Sequence, residues 1–137
     1  MLNVRELRTG NYLKGNKDKI PKFQQIHEHG IVEISEYSLY LLSEGVFQLE
    51  PIPLNHFWFK KFKFERFKKN DTELGYVYVK TYTDSNIVVK FSIYSDSSGS
   101  FFSIYDKFKT PTDKKYYVHQ LQNIYLDVSG QELKRKF

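Results

Sequence analysis

A chain of 137 residues, 40% hydrophobic and 18% aromatic, is long enough to bury a substantial core within one domain. The absence of cysteine excludes disulfides, a thiolate nucleophile and zinc–cysteine sites, and it suits a reducing cytoplasm. No window approaches the roughly 18 consecutive apolar residues of a transmembrane helix. The opening "MLNVRELRTGNYL" carries early charges and no apolar run, so we expect no secretory signal peptide and a cytoplasmic protein.

The net charge of +5 is concentrated in one segment. Residues 56–69 contain six lysines and arginines and one acid, Glu65, so this segment alone carries a net charge equal to that of the whole chain. A localised positive field of this kind is typical of surfaces that bind phosphate groups or an acidic protein.

The N-terminal part of the chain is punctuated by turn signals. Gly-Asn pairs at 10–11 and 15–16 predict a short strand at Tyr12–Leu13 between them. Two strands are predicted next, at Phe23–Glu28 and Gly30–Ile34. Two further apolar runs follow, at Tyr37–Leu42 and Val46–Leu49.

The segment "NHFWFKKF" predicts a short central helix. Asn55 is a favourable N-cap, and Leu54 before it is placed to pack on Phe59 as a hydrophobic staple. At about 100° per residue, Phe59 shares an inner face with Trp58 and Phe62, which we assign to the core. The opposite face presents Phe57, Lys60 and Lys61.

The C-terminal half predicts a β-meander followed by a helix. The runs "GYVYVKTY", "NIVVKFSIY" and "SFFSIYDKF" are β-branched and aromatic and are separated by polar turns. In "YYVHQLQNIYLDVSG" apolar residues recur with helical spacing from Val118 to Val128, and Gly130 suits the helix end. We therefore predict a single α+β domain over residues 1–137, mainly antiparallel sheet with a short central helix and a C-terminal helix, and a mobile basic tail at 130–137.

Three segments together resemble a known group of sequences. "ELRTGNYL", "EPIPLNHFWFKKFKF" and "YVHQLQNIYLDVSGQEL" follow one another as in a family of small proteins from Bacteroidetes phages, prophages and mobile elements, for which no activity is established. The resemblance implies a phage or mobile-element origin and implies no mechanism. Two positions depart from the pattern: Lys63 stands where the family has glycine, and Phe57 where it tends to be polar.

The basic segment supplies the candidate binding site. Lysines neutralise phosphates and exposed aromatics stack on unpaired bases, which favours RNA over duplex DNA. The alternative is an amphipathic element whose lysines only solvate its outer face. The candidate residues are Phe57, Lys60, Lys61, Lys63, Arg66, Lys68 and Lys69.

Histidines provide two further candidates. His27 and His29 in "HEH" would share one face of a strand and could ligate a metal if other ligands converged there. His119 would need a carboxylate or nucleophile to act as a general base, and a structural polar contact is the simpler interpretation. No phosphate-binding glycine loop or known catalytic motif is present, so we predict no enzyme, no cofactor and no metal.

These observations lead to two hypotheses of function. The first is a non-catalytic accessory protein that inhibits a host defence nucleoprotein, in the manner of an anti-CRISPR protein, through a surface that contacts RNA or a ribonucleoprotein. The second is a protein-only interaction module, such as a virion or replication subunit, whose patch meets an acidic partner with Phe57 as an anchor. The sequence identifies neither the partner nor the oligomeric state.

Overall fold

The computed structural model describes residues 2–68, 74–84, 87–96, 101–103 and 117–136. Within these ranges helices and antiparallel strands are mixed, which confirms the predicted α+β class. Two 3-10 turns, Val4–Glu6 and Glu28–Gly30, accompany the regular elements. The strands are β1 (Tyr12–Lys14), β2 (Ile31–Glu33), β3 (Glu65–Lys68), β4 (Leu74–Asp84), β5 (Ile87–Asp96) and β6 (Phe101–Ser103), and the helices are α1 (Glu36–Ser43), α2 (His56–Lys61) and α3 (Val118–Ser129).

The larger described sheet has the strand order β3-β4-β5-β6, and each neighbouring pair is antiparallel. β4, β5 and β6 follow the predicted meander, whose last run continues outside the described residues. The sequence does not predict β3, which lies in the basic segment and forms because β4 provides a pairing edge, with Glu65 opposite Val79 and Lys68 opposite Tyr76. Charged residues suit such an edge because they discourage pairing with another chain.

The smaller sheet pairs β1 with β2, which confirms the strands predicted at Tyr12–Leu13 and Gly30–Ile34 and adds their pairing. The strand predicted at Phe23–Glu28 is wrong: residues 25–27 have no regular structure, and a 3-10 turn begins at Glu28. The apolar run at Tyr37–Leu42 forms α1, a third helix, because the Ser35 hydroxyl accepts a hydrogen bond from the Ser38 amide and caps it.

Helix α2 forms as its local sequence predicts. The Asn55 side chain accepts a hydrogen bond from the Trp58 amide at 3.2 Å, which satisfies one of the free N–H groups of the first turn. Trp58, Phe59 and Phe62 are all buried. Lys63, just after the Phe62 C-cap of α2, has a left-handed φ of 67°, a conformation that glycine adopts without strain.

The inner face of α2 enters an aromatic core. The Phe59 ring stacks on Tyr78 of β4 at a centroid distance of 4.0 Å, and the Trp58 ring lies 5.8 Å from Tyr12 of β1. Tyr125 of α3 contacts the same cluster. The core therefore joins α2 to both sheets and to α3. A second cluster of aliphatic side chains lies around Leu13, and it includes residues from β2 and α1.

Three segments that are distant in sequence, around Tyr12, Ile52 and Gln122, contact one another. Gln122 of α3 accepts a hydrogen bond from the Tyr12 amide at 2.9 Å and donates to the Gly10 carbonyl at 2.9 Å. The Val118 amide donates to the Ile52 carbonyl at 2.9 Å. Buried amide side chains of this kind are stable because each donor and acceptor has a partner. Among the described helices none is long and apolar enough to cross a membrane.

Residues 131–136 pack against the rest of the protein, which differs from the expected mobile tail. Leu133 is 2% exposed and belongs to the aromatic core. Its carbonyl accepts a hydrogen bond from Gln122, and the Arg135 amide donates to the Tyr12 hydroxyl at 3.1 Å. Lys134 forms an ion pair with Glu33 of β2. Because the tail is mostly polar and basic, its sequence does not indicate that Leu133 anchors it to the core.

Candidate nucleic-acid interface

The described residues of the predicted site lie on and after α2. Phe57 is 47% exposed, and Lys60 and Lys61 are exposed on the outer face of the helix, opposite the buried Trp58. Lys63 ends the helix and Arg66 follows on β3, both exposed. With Arg135 of the tail, described below, these residues form what we call the α2 surface: Phe57, Lys60, Lys61, Lys63, Arg66 and Arg135.

Of the predicted site residues, Lys68 is described only in its backbone and Lys69 is not described. Lys68 is the last residue of β3 and its backbone pairs with Tyr76 of β4. Lys69 lies outside the described residues.

The lysines of the α2 surface are not neutralised within the described part of the chain. Lys60, Lys61 and Lys63 form no ion pair with any described carboxylate, although Glu65 is close in sequence. Partial desolvation, and then the nearby charges of Arg66 and Lys60, lower the pKa of the His56 imidazole. This surface therefore concentrates positive charge that a bound anion would relieve.

Lys63 and Lys80 form a second pair of neighbouring cations. The Lys80 ammonium donates a hydrogen bond to the Phe62 carbonyl at 2.8 Å, at the C-terminal end of α2, where the helix dipole favours a cation. Burial, and then the charge of Lys63, lower the pKa of Lys80. The left-handed backbone of Lys63 thus holds one cation close to another.

The ring of Phe57 is flanked by cations. The Lys61 ammonium lies 5.3 Å from the ring centroid, and the Arg135 guanidinium lies 5.4 Å from it. Arg135 also lies 4.8 Å from the Trp58 ring. These are cation–π distances. Phe57 therefore holds two positive groups in place, and less of its ring is free for a base than the sequence suggests.

Sequence reasoning misses Arg135 as a member of this surface. Nothing within residues 130–137 shows which element the tail contacts, and Arg135 is distant in sequence from Phe57 and Trp58. The available signal is the combination of the Phe57-Trp58 dipeptide with a basic segment elsewhere in the chain, since arginine stacks on aromatic rings.

The histidine pair does not have the geometry that a shared metal would require of a strand. Residues 28–30 form a 3-10 turn in which His29 has a φ of 62°, so the alternation assumed for His27 and His29 is wrong. No group of three or more His, Asp or Glu side chains within the described ranges is arranged to hold a metal ion. Both histidines line an open groove of about 970 Å³ beside Lys14, Lys17 and Lys19.

His119 is buried at the start of α3, 2% exposed. Its Nε2 lies 3.5 Å from a carboxylate oxygen of Glu6, an electrostatic contact longer than an ordinary hydrogen bond, and its ring stacks on Tyr117. Neither ring nitrogen has a hydrogen-bond partner among the described residues. Burial lowers the pKa of His119, and Glu6 opposes that effect. The imidazole therefore lies in a packed interface with a single polar neighbour.

The α2 surface offers ammonium and guanidinium donors and exposed aromatic edge, with no nucleophile–base pair on it. Such donors bind phosphate or carboxylate oxygens. No protein-family model, no curated protein and no solved structure matches the chain.

Proposed function

We propose that the protein is a non-catalytic binding protein whose α2 surface contacts RNA or a ribonucleoprotein. The observation that supports this most directly is the set of three exposed lysines, Lys60, Lys61 and Lys63, that lack ion pairs among the described residues. Lysines that merely solvate a surface gain from nearby carboxylates, whereas here Lys63 lies close enough to Lys80 that its charge, after burial, helps to lower the pKa of Lys80. A bound polyanion would relieve the repulsion between these neighbouring cations, and this relief would add to the binding free energy.

The number of cations sets the expected salt dependence. Each phosphate neutralised on a single strand contributes about −0.7 to the slope of log K against log salt concentration. If each of the five cations of the α2 surface contacts one phosphate, we expect a slope of about −3 to −4.

The biological role within this proposal follows from the resemblance to phage and mobile-element proteins. We place the protein in the cytoplasm of a bacterial host, where it would inhibit a defence nucleoprotein as anti-CRISPR proteins do. In that role the α2 surface would occupy the guide RNA or the groove that holds it.

The test combines capture with charge reversal. The protein is used to recover partners from host lysate with and without RNase, and its affinity for labelled single-stranded RNA is measured over a range of salt concentrations. We expect the triple variant Lys60→Glu/Lys61→Glu/Lys63→Glu to lose RNA binding. A control with the same change of charge, Lys17→Glu/Lys19→Glu/Lys22→Glu, alters exposed lysines away from the α2 surface and should bind as the wild type does.

Two results would contradict the proposal. One is a wild-type protein that recovers neither RNA nor a nucleoprotein. The other is an equal loss of binding in both triple variants, because a general effect of net charge would then explain the affinity without any defined surface.

The second candidate function is a protein-only interaction module. The observation that favours it is the position of Phe57, whose ring is shared with Lys61 and Arg135 and so is less suited to base stacking. An apolar centre with a cationic rim fits an acidic protein surface. Salt-sensitive capture of a protein that persists after RNase treatment, with no affinity for RNA, would select this alternative.

A further inference from the structure

A groove of about 420 Å³ lies beside the α2 surface, between the end of α2 and the outer part of β3 and β4. A volume of this size is within the range of small-ligand sites. It is lined by Lys63, Glu65, Phe67, Val79, Lys80 and Thr81.

The register of the sheet explains this lining. Glu65 is paired with Val79, and Phe67 is paired with Val77, so these four residues alternate onto the same face of the β3–β4 hairpin. Tyr78, between the two valines, is buried on the other face. One side of β3 therefore contributes a carboxylate and a phenyl ring to a shallow apolar floor.

Phe67 differs from Phe57 in its neighbours. Its side chain is 50% exposed, and it contacts no aromatic ring or cation among the described residues. The exposed face of the ring is therefore accessible to a flat aromatic ligand such as a base. Base stacking on such a ring is worth about a five- to hundredfold gain in affinity.

The polar groups of the groove are placed for the other parts of a nucleotide. Lys80 alternates with Val79 along β4, so its ammonium leaves the face that carries Glu65 and Phe67 and donates instead to the Phe62 carbonyl. Lys63 makes no ion pair with a described carboxylate. Glu65 offers acceptor oxygens only, so it complements the N–H donors of a base edge.

We propose that this groove binds one unpaired nucleotide of the RNA, with the base on Phe67, a phosphate at Lys63 and the base edge at Glu65. This inference rests on the proposed function of the α2 surface. The nucleotide it fits best carries guanine, because the adjacent N1–H and N2–H groups of guanine present two donors to one carboxylate, whereas uracil presents a single N–H.

The experiment measures fluorescence anisotropy with short single-stranded RNAs that differ at one central position, guanine or uracil. Phe67→Leu keeps an apolar side chain and removes the ring, so we expect affinity for the guanine RNA to fall roughly tenfold, while Phe67→Tyr keeps the ring and should bind as the wild type does. Phe23→Leu is the matched control, since Phe23 is also half exposed but packs on Tyr37 of α1. Glu65→Gln should reduce the preference for guanine over uracil.

The outcomes separate the groove from the wider surface. If Phe67→Leu binds as the wild type does while the Lys60/Lys61/Lys63 reversal abolishes binding, the nucleotide site is wrong and the proposed function stands. If the wild type prefers no base, or Glu65→Gln keeps the full preference, the assignment of guanine is wrong. If the wild type binds no RNA, the nucleotide site is wrong, and if it also recovers no nucleoprotein from lysate, the proposed function is wrong as well.

Discussion

Replacing Lys63 by glycine should stabilise the protein. Lys63 has a φ of 67° at the end of α2, whereas α1 and α3 are each followed by a glycine with a φ of 73°, Gly45 and Gly130. The left-handed conformation costs a residue with a Cβ about 1–2 kcal/mol, and glycine loses about 0.5–1 kcal/mol more backbone entropy on folding. The difference predicts a gain of about 0.5–1 kcal/mol in the free energy of unfolding, or about 2–4 °C in Tm.

The assay is urea unfolding followed by the fluorescence of Trp58, the single tryptophan, which is buried in the core. Lys63→Ala separates charge from backbone, because it removes the repulsion of Lys80 and keeps the Cβ, so we expect a much smaller gain. Gly45→Ala calibrates the penalty in this chain, since a Cβ at Gly45 would meet no atom within 4 Å, and it should destabilise the protein by about 1 kcal/mol.

One pattern would refute this reasoning. If Gly45→Ala destabilises the protein and Lys63→Gly does not stabilise it, Lys63 carries no backbone strain. If the reasoning holds, Lys63→Gly should also weaken RNA binding, because it removes one cation of the α2 surface. A residue whose strained backbone lowers the stability of the protein is often found at a functional site.

Four further outcomes follow from the described contacts. Burial holds the pKa of His119 below its unfolded value of about 6.5, so the neutral imidazole favours folding. This contribution to stability is complete above that pH and is lost as the pH falls toward the folded pKa. In urea unfolding at pH 7 and pH 5, the free energy of unfolding should therefore decrease less for His119→Gln than for the wild type. Glu6→Gln should enlarge the decrease, because it removes the carboxylate that stabilises the protonated imidazole. Leu133→Ala should cost about 2–4 kcal/mol of unfolding free energy, as for any buried leucine, and a cost near zero would show that the tail is loosely held. Gln122→Leu should destabilise by about 2–4 kcal/mol, since it leaves a buried backbone amide and two carbonyls without partners, and an unchanged midpoint would contradict that bonding pattern. The pKa of His56, measured by NMR, should rise when RNA covers the cations beside it, and an unchanged value would place the RNA elsewhere.

The elements that the sequence predicts correctly are those whose signals are local. α2 begins at a capping asparagine and repeats its apolar residues with helical spacing, so residues 54–62 contain all the information needed. α3 is similar, with a periodic apolar face closed by Gly130. The β4–β5 hairpin is long, rich in β-branched and aromatic residues, and bounded by turn residues.

The features that escape prediction depend on partners distant in sequence. β3 is a strand because β4 pairs with it, and its own residues indicate only a charged segment. Leu133 is one apolar residue in a basic tail, and its burial requires the core formed by Tyr12 and α2. Because Leu133 is buried in this core, the tail also brings Arg135 to the α2 surface. The candidate site is therefore predictable in its α2 portion and hidden in the portion supplied by the tail.

The bonds of Gln122 also determine when the protein can fold. This side chain holds the Tyr12 amide, which lies 110 residues earlier in the chain, and the Leu133 carbonyl together. A ribosome adds about 5–20 residues per second, so β1 waits roughly 5–20 s before α3 exists to complete its hydrogen bonds. During that interval the aromatic side chains of α2 and β4 are not yet buried by α3. The nascent chain should therefore depend on chaperone protection more than its small size suggests, and a ribosome stalled before α3 should display a protease-sensitive N-terminal segment.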